Sequence, residues 1–254
     1  MVDFNVEEVI EKDVEYLRNF FNSFSDRSVA VIGISGGKDS TVAAALLKKA
    51  LGAERVLGVM MPNGLQADIE DSKQVCEVLG IKNITVNIED IFNAAMKTYE
   101  KFPEVEITPQ LRTNLAPRIR MTTLYAVAQG QKETAFVVNT CNRSEDYVGY
   151  STKYGDAAGD ISVLQDLLVS EVRMIGDHLM LPKNLVHKAP SDGLCGKTDE
   201  DNLGFTYAQL DSYIRWQDDG KNGQCPISDE LAAKIDKKHV ANLHKLKTIP
   251  SFAR

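Results

Sequence analysis

Eight consecutive residues, Gly33, Ile34, Ser35, Gly36, Gly37, Lys38, Asp39 and Ser40, combine three glycines with hydroxyls, a lysine and an acid. Glycine lets successive backbone N–H groups turn toward one point. At the start of a helix those groups and the helix dipole together favour an anion, and phosphate is the natural ligand. The loop is not a Walker A motif, because Asp39 stands where Ser or Thr would follow Gly37 and Lys38, and position 32 is Ile. Nor does it have the G-x-G-x-x-G spacing of a dinucleotide loop. An acid inside a phosphate loop repels its ligand unless a cation stands between them, so Asp39 implies Mg²⁺ held by hard oxygen ligands.

The surrounding pattern predicts what positions this loop. Residues 29–35 form a short β-branched run suited to a buried parallel strand, and the Ala- and Leu-rich stretch 40–51, stopped by Gly52, reads as a helix. Strands are predicted at 56–61, 84–88 and 134–139, with helices at 67–79, after a cap at Asp90, and from about 109 to Gln131. Residues 141–160, dense in Gly, Asn, Asp and Tyr, read as a functional loop. Further helices are expected at 169–180, 206–217 and 228–246, around an irregular stretch from Pro182 to Leu203. The alternation predicts an α/β doubly wound parallel sheet flanked by helices, with residues 1–254 as one domain.

Other segments carry recognisable patterns in the same order. They are Met61 to Asp68, Asn114 to Met121, Thr140 to Glu145, Gly149 to Asp156, Lys188 to Ser191, and the pair His244 and Lys245. The S-G-G-x-D-S loop resembles the pyrophosphate loop of the N-type ATP pyrophosphatases, which by itself gives the chemistry but not the substrate. The remaining segments are similar to M-P-x-G-x-Q, N-x-x-x-R-x-R-M, G-T-x-N-x-x-E, G-x-x-T-K-Y-G-D, K-x-P-[ST] and H-K of ammonia-dependent NAD synthetase. The resemblance implies an adenine nucleotide α-hydrolase-like (ATP pyrophosphatase) fold. It also implies ATP-dependent amidation of deamido-NAD to NAD through an adenylated nicotinate, with AMP and pyrophosphate released.

Carried over residue by residue, the resemblance places ATP, the co-substrate, on Gly33 through Ser40 and on Gln66, Thr140 and Ser191. Deamido-NAD falls to Arg118, Lys153, Asp160, His244 and Lys245. Mg²⁺ falls to Asp39 and Glu145, and Asp156 is the candidate for holding ammonium, which makes Asp39, Glu145 and Asp156 the catalytic set. The family's usual Lys aligns with Val169 and its usual Gly with Asn139, so an expected phosphate contact is missing. Either Lys38 or Lys183 supplies that charge, or ATP binds more weakly. The resemblance further implies a homodimer with deamido-NAD at the subunit interface and Lys245 reaching across it.

Composition bounds these readings. Of 254 residues, 29 are Lys or Arg and 36 are Asp or Glu, a net charge of −7 that argues against a surface devoted to nucleic acid or anionic lipid. Local charge runs the other way: residues 109–132 hold four basic residues and no acid, and residues 231–254 hold six basic residues and one acid. Both suit a dianionic dinucleotide. No apolar run reaches membrane-span length and the start lacks a cationic signal, so a cytoplasmic protein is expected. At this length no fused glutaminase domain is expected, and free ammonia is the expected nitrogen donor. The four cysteines, Cys76, Cys141, Cys195 and Cys225, form no C-x-x-C pair. Cys141 reads as a small buried filler. His178, His187 and His239 lack zinc spacing, and Trp216 with Tyr213 and Leu210 reads as core. Two rival readings remain at this level. One is a different adenylating amidation or tRNA-modifying ligase. The other is a nucleotide-binding regulator that has lost catalysis.

Overall fold

The computed structural model describes residues 4–66, 69–188, 198–247 and 249–252. Its elements, in chain order, begin with α1 (Val6–Phe24), β1 (Val29–Gly33), α2 (Lys38–Leu51), β2 (Val56–Met60), α3 (Ile69–Leu79) and β3 (Lys82–Thr85). They continue with α4 (Glu89–Tyr99), α5 (Pro109–Gln129), β4 (Ala135–Asn139), α6 (Arg143–Val148), β5 (Ile161–Ser162) and α7 (Val169–His178). The C-terminal part adds α8 (Lys183–Val186), α9 (Asp199–Leu203), α10 (Tyr207–Asp218) and α11 (Asp229–Leu246).

The five strands are all parallel, in the order β3-β2-β1-β4-β5. Alternating side chains of β1 feed two cores. Ala30 and Ile32 join the large cluster under α1, α2 and α7, whereas Val31 joins Val59, Val137 and Ala128 beneath α5. Burial on both faces explains the continuous β-branched run. After β1 the chain builds β2 and β3 to one side, then returns to place β4 on the other. The loops leaving the C-terminal ends of β1 and β4 therefore diverge from neighbouring strands and open a crevice, the usual ligand position in such sheets.

Helix α2 is buried over most of its circumference, with every residue from Thr41 to Leu47 inside. Its alanines admit close neighbours, and at Gly176 of α7 an added Cβ would stand 2.8 Å from Val186 and 3.2 Å from Val42. A second apolar cluster joins α6, α9, α10 and α11 through Val148, Leu203, Tyr207, Leu210 and Ile235. It sets Tyr207 beside the start of α2.

Several expectations shift for identifiable reasons. The third strand lies at Lys82–Thr85, not 84–88, because Leu57 to Met60 pair with Lys82 to Thr85 in an exposed edge register. Ile88 instead turns inward against Ala116 and Ile119, and it takes the N-cap position of α4. Asp90 is thus in the first turn and does not cap. Helix α1 adds an element to the expected set: Ile10, Val14, Leu17 and Phe21 form one buried stripe and Asn5 accepts the Glu8 N–H. Short helices α6, α8 and α9 occupy segments expected to be irregular. Trp216 is only partly buried at the margin of the second cluster, and its indole N–H donates to the Gly223 carbonyl.

Candidate active site

The loop after β1 is held open by its own hydroxyls. Ser35 Oγ accepts the Gly37 N–H at 3.3 Å, Ser40 Oγ accepts the Ser35 N–H at 3.3 Å, and Thr41 Oγ1 donates to the Gly37 carbonyl at 2.7 Å. Gly36 has φ +77, and a Cβ there would lie 2.7 Å from the Asp71 Cβ and 2.8 Å from the Ser72 nitrogen. Both conformation and space require glycine at this position. Ile34 is buried and its N–H continues the sheet to the Val59 carbonyl, so neither its side chain nor its N–H is open to a ligand. At the rim, Asp71 pairs with Lys188 at 2.6 Å.

Asp39, on the first turn of α2, meets the segment after β4. Asn142 caps α6 by accepting the Glu145 N–H, and its Nδ2 donates to Asp39 Oδ1 at 2.9 Å. Glu145 rises from the same short helix. Between the two carboxylates sits the Lys38 ammonium, 2.8 Å from Asp39 Oδ2 and 3.5 Å from Glu145 Oε1. The lysine side chain is 3% exposed and its Nζ stands 5.4 Å from the centre of the Tyr207 ring. Burial drives the Lys38 ammonium toward its neutral form, but the Asp39 and Glu145 charges outweigh this and leave its pKa above the ordinary lysine value. Burial, followed by the Asp39 charge, raises the Glu145 pKa, while Lys38 opposes the shift. Two carboxylates that already converge on one cation suit a hard divalent ion. Among the described residues no third acidic, His or Cys ligand completes the group, which leaves coordination positions for phosphate and water.

A second constellation lies where residues 149–160 meet α5 and α11. Thr152 N–H donates to Asp156 Oδ1 at 2.7 Å, and the Asp156 carbonyl accepts from Asn139 Nδ2 at 2.9 Å. Gly155 approaches Pro117, an interior helical residue with no N–H to offer. Although the Asp156 side opens to solvent, burial raises its pKa, and the Thr152 bonds oppose that. Arg120 is half-buried and donates to the Met61 carbonyl at 3.1 Å. Burial lowers its pKa against the opposing charge of Asp156. Asp146 is pushed to about 6 by burial and then by Asp156.

Lysines join this loop to the C-terminal helix. Lys245 Nζ donates to the carbonyls of Gly149 and Ser151 at 2.6 and 2.8 Å, and Lys153 Nζ donates to the His244 carbonyl at 2.7 Å. His244 itself is exposed, while burial lowers the Lys245 pKa. A cavity of about 380 Å³ touches Asn139, Cys141, Asp146, Ser151, Asp160 and Lys245. A depression of about 510 Å³ is lined by Asp177, Met180, Leu181, Lys183 and His187, none of them from the loops after β1 or β4.

The candidates therefore divide. Gly33 to Ser40, Thr140 and Glu145 gather in the crevice, with Gln66 in the turn after β2. Arg118, Lys153, Asp156, Asp160, His244 and Lys245 gather on the second face, where Arg118 is exposed and its Nε reaches the Lys153 carbonyl at 3.4 Å. Asp160 accepts from Tyr125 OH at 3.0 Å and from the Val137 N–H at 2.8 Å, so it also ties α5 to β4. Ser191 lies outside the described residues. Of the two lysines considered for the missing charge, Lys38 is in the crevice and Lys183 is exposed in the other depression. Val169 is buried in the second apolar cluster and offers nothing to a phosphate. Tyr207 and the buried Asp199, whose charge acts on both Lys38 and Glu145, carry no motif in the sequence. Asn142 is the matched Asn of the Thr140 to Glu145 segment, and its role as partner of Asp39 emerges only in the fold. Cys141 is buried, as expected, with its thiol pKa raised chiefly by burial.

The NAD synthase family model matches residues 9–249. An NH₃-dependent NAD⁺ synthetase of Methanocaldococcus jannaschii is 40% identical over 220 residues, 85% of this chain and 83% of its own. Among solved structures, an NMN synthetase from Francisella tularensis has TM-score 0.86 and 34% identity, covering 98% of this chain and 99% of its own. An NH₃-dependent NAD synthetase from Campylobacter jejuni has TM-score 0.83 and 26% identity, covering 99% and 100%. The shared architecture is the adenine nucleotide α-hydrolase-like fold.

Proposed function

Because this chain belongs to the NAD synthase family, we propose a reading of its cleft in which adenylation and amidation occur at adjoining ends. The enzyme is a carbon–nitrogen ligase that amidates deamido-NAD to NAD with ATP and ammonia, the final step of NAD biosynthesis. The observation that carries the site reading is the meeting of the β1 and β4 loops, where Asn142 and Asp39 bond across 103 positions of sequence.

In this reading a nicotinate carboxylate oxygen attacks the α-phosphorus of ATP. Pyrophosphate leaves into the loop Gly33 to Ser40, toward the N–H groups at the start of α2, and Gln66, Thr140 and Ser191 hold the nucleotide. Ammonia then attacks the acyl carbon, AMP departs with the bridging oxygen, and the amide of NAD is formed. Asp39 and Glu145 would hold Mg²⁺, which when bound neutralises charge on the phosphates. Arg118, Lys153, Asp160, His244 and Lys245 orient deamido-NAD. Asp156, whose charge reaches Asp146, holds ammonium and takes its proton, since only neutral ammonia has a lone pair. The first step needs positioning and charge neutralisation more than a protein nucleophile.

The proposal extends to a single synthetase domain over 1–254, free ammonia as donor, a cytoplasmic homodimer, and no nucleic-acid or membrane partner. Val240, Ile249 and Phe252, exposed on α11 and the chain after it, support an interface there. No described helix is long and apolar enough to cross a membrane. The likeness to an NMN synthetase favours one second reading, in which the acceptor is nicotinate mononucleotide. Incubation with ATP, Mg²⁺, ammonium and either acceptor tests both. Equal amounts of NAD, AMP and pyrophosphate are expected with deamido-NAD. Faster turnover of the mononucleotide would move the assignment to the second reading. Absence of amide from folded protein with either acceptor would overturn the account.

A further inference from the structure

Lys38 fills the variable position of the glycine loop, where an exposed side chain would be the simple expectation for a lysine. Instead it is almost wholly enclosed, with the Asp39 and Glu145 carboxylates on one side and the Tyr207 ring on the other. An isolated buried ammonium is strongly unfavourable, and so are two facing carboxylates without a cation. Each is tolerated here because of the other. The buried Tyr207 meets Lys38 through its ring face, and its hydroxyl has no hydrogen-bond partner among the described residues.

We propose that Lys38 is a resident counter-ion of the metal site, an ammonium that keeps Asp39 and Glu145 converged in the metal-free enzyme and competes with a divalent cation for their oxygens. The inference rests on the reading of those two carboxylates as the metal holders. A divalent ion arriving alone must displace the ammonium from both carboxylates and leave it, still buried, with the Tyr207 ring and the more distant Asp199 charge, so bare metal binds weakly. An arriving triphosphate offers the displaced ammonium new anionic partners, so metal and nucleotide bind with strong mutual dependence. Lys38 is thus a positioning residue in the free enzyme and a phosphate ligand in the loaded one.

The test is Mn²⁺ binding to nucleotide-free protein, followed by electron paramagnetic resonance and calorimetry. Lys38→Met, close in volume and without charge, should bind Mn²⁺ at least about tenfold more tightly than the unsubstituted protein. Its melting temperature should fall without metal and recover with saturating Mn²⁺. Adding Asp39→Asn to Lys38→Met should abolish the gain. Unchanged or weaker Mn²⁺ binding by a folded Lys38→Met, with Asp39→Asn alone still weakening the metal, overturns the role of Lys38 and leaves the metal reading standing. Tight Mn²⁺ binding that survives Asp39→Asn and Glu145→Gln together overturns the metal reading and the inference with it. Lys38→Gln repeats the comparison if circular dichroism finds the Met variant unfolded.

Discussion

The crevice after β1 and β4 and the face formed by residues 149–160 with α11 handle charge in opposite ways. In the crevice, ionised groups pair with one another inside the protein, Lys38 with Asp39 and Glu145. On the second face, Lys153 and Lys245 bond neutral main-chain carbonyls, and Arg118 leans on another. A carbonyl holds a cation in place without cancelling its charge. The second face therefore keeps its positive charge available to an anionic dinucleotide, while the crevice hides charge until metal and triphosphate arrive together. Local basicity in residues 109–132 and 231–254 follows from the same division, in a chain whose net charge is −7.

Substitutions should separate the two regions, and the largest effect belongs to the crevice. Asp39→Asn should lower kcat by about 10²–10³-fold at saturating deamido-NAD, as removal of a transition-state charge partner does, in steady-state assays across Mg²⁺ concentrations. A similar loss appearing only in KM for deamido-NAD would break the division. Lys245→Ala should raise that KM by about 10- to 100-fold, in line with one lost charged hydrogen bond, with a smaller change in kcat. Between the regions, Asp211 is buried and accepts from Ser144 Oγ and from the Ser170 N–H, tying α6, α7 and α10 behind both sites. Asp211→Ala should cost about 3 kcal/mol in urea unfolding, because buried donors lose their acceptor. The smallest effect is expected at Lys183→Ala, which should leave KM for ATP within about twofold, as for a surface change away from the site. A large increase there would return the phosphate charge to Lys183.

The two regions also differ in how much of them a linear reading could reach. Gly36, Gly37 and Asp39 announce a phosphate loop because their meaning is local: a turn, a helix start and an acid within a few residues. The strand–helix alternation likewise gives the parallel sheet, and the order of β1 and β4 makes their loops meet. The burial of Lys38 is not local, since it depends on Glu145 and Tyr207 arriving from distant helices, and a lysine beside glycines reads as solvated. The edge position of β3 depends on register with β2, so Val86 and Ile88 looked like strand when Ile88 in fact packs toward α5. Helix α1 is local in the same sense as the phosphate loop, since Ile10, Val14, Leu17 and Phe21 recur at helical spacing. Asp160 was legible as a ligand candidate, but its bonds to Tyr125 and Val137 became visible only in the fold.

The central claim, that nicotinate is adenylated before it is amidated, is tested most directly by oxygen transfer. Deamido-NAD carrying ¹⁸O in both carboxylate oxygens is turned over once with ATP, Mg²⁺ and ammonium, and AMP and NAD are examined by mass spectrometry. The account predicts one ¹⁸O in the AMP phosphate and one in the NAD amide. Label in pyrophosphate or inorganic phosphate, with none in AMP, would contradict it.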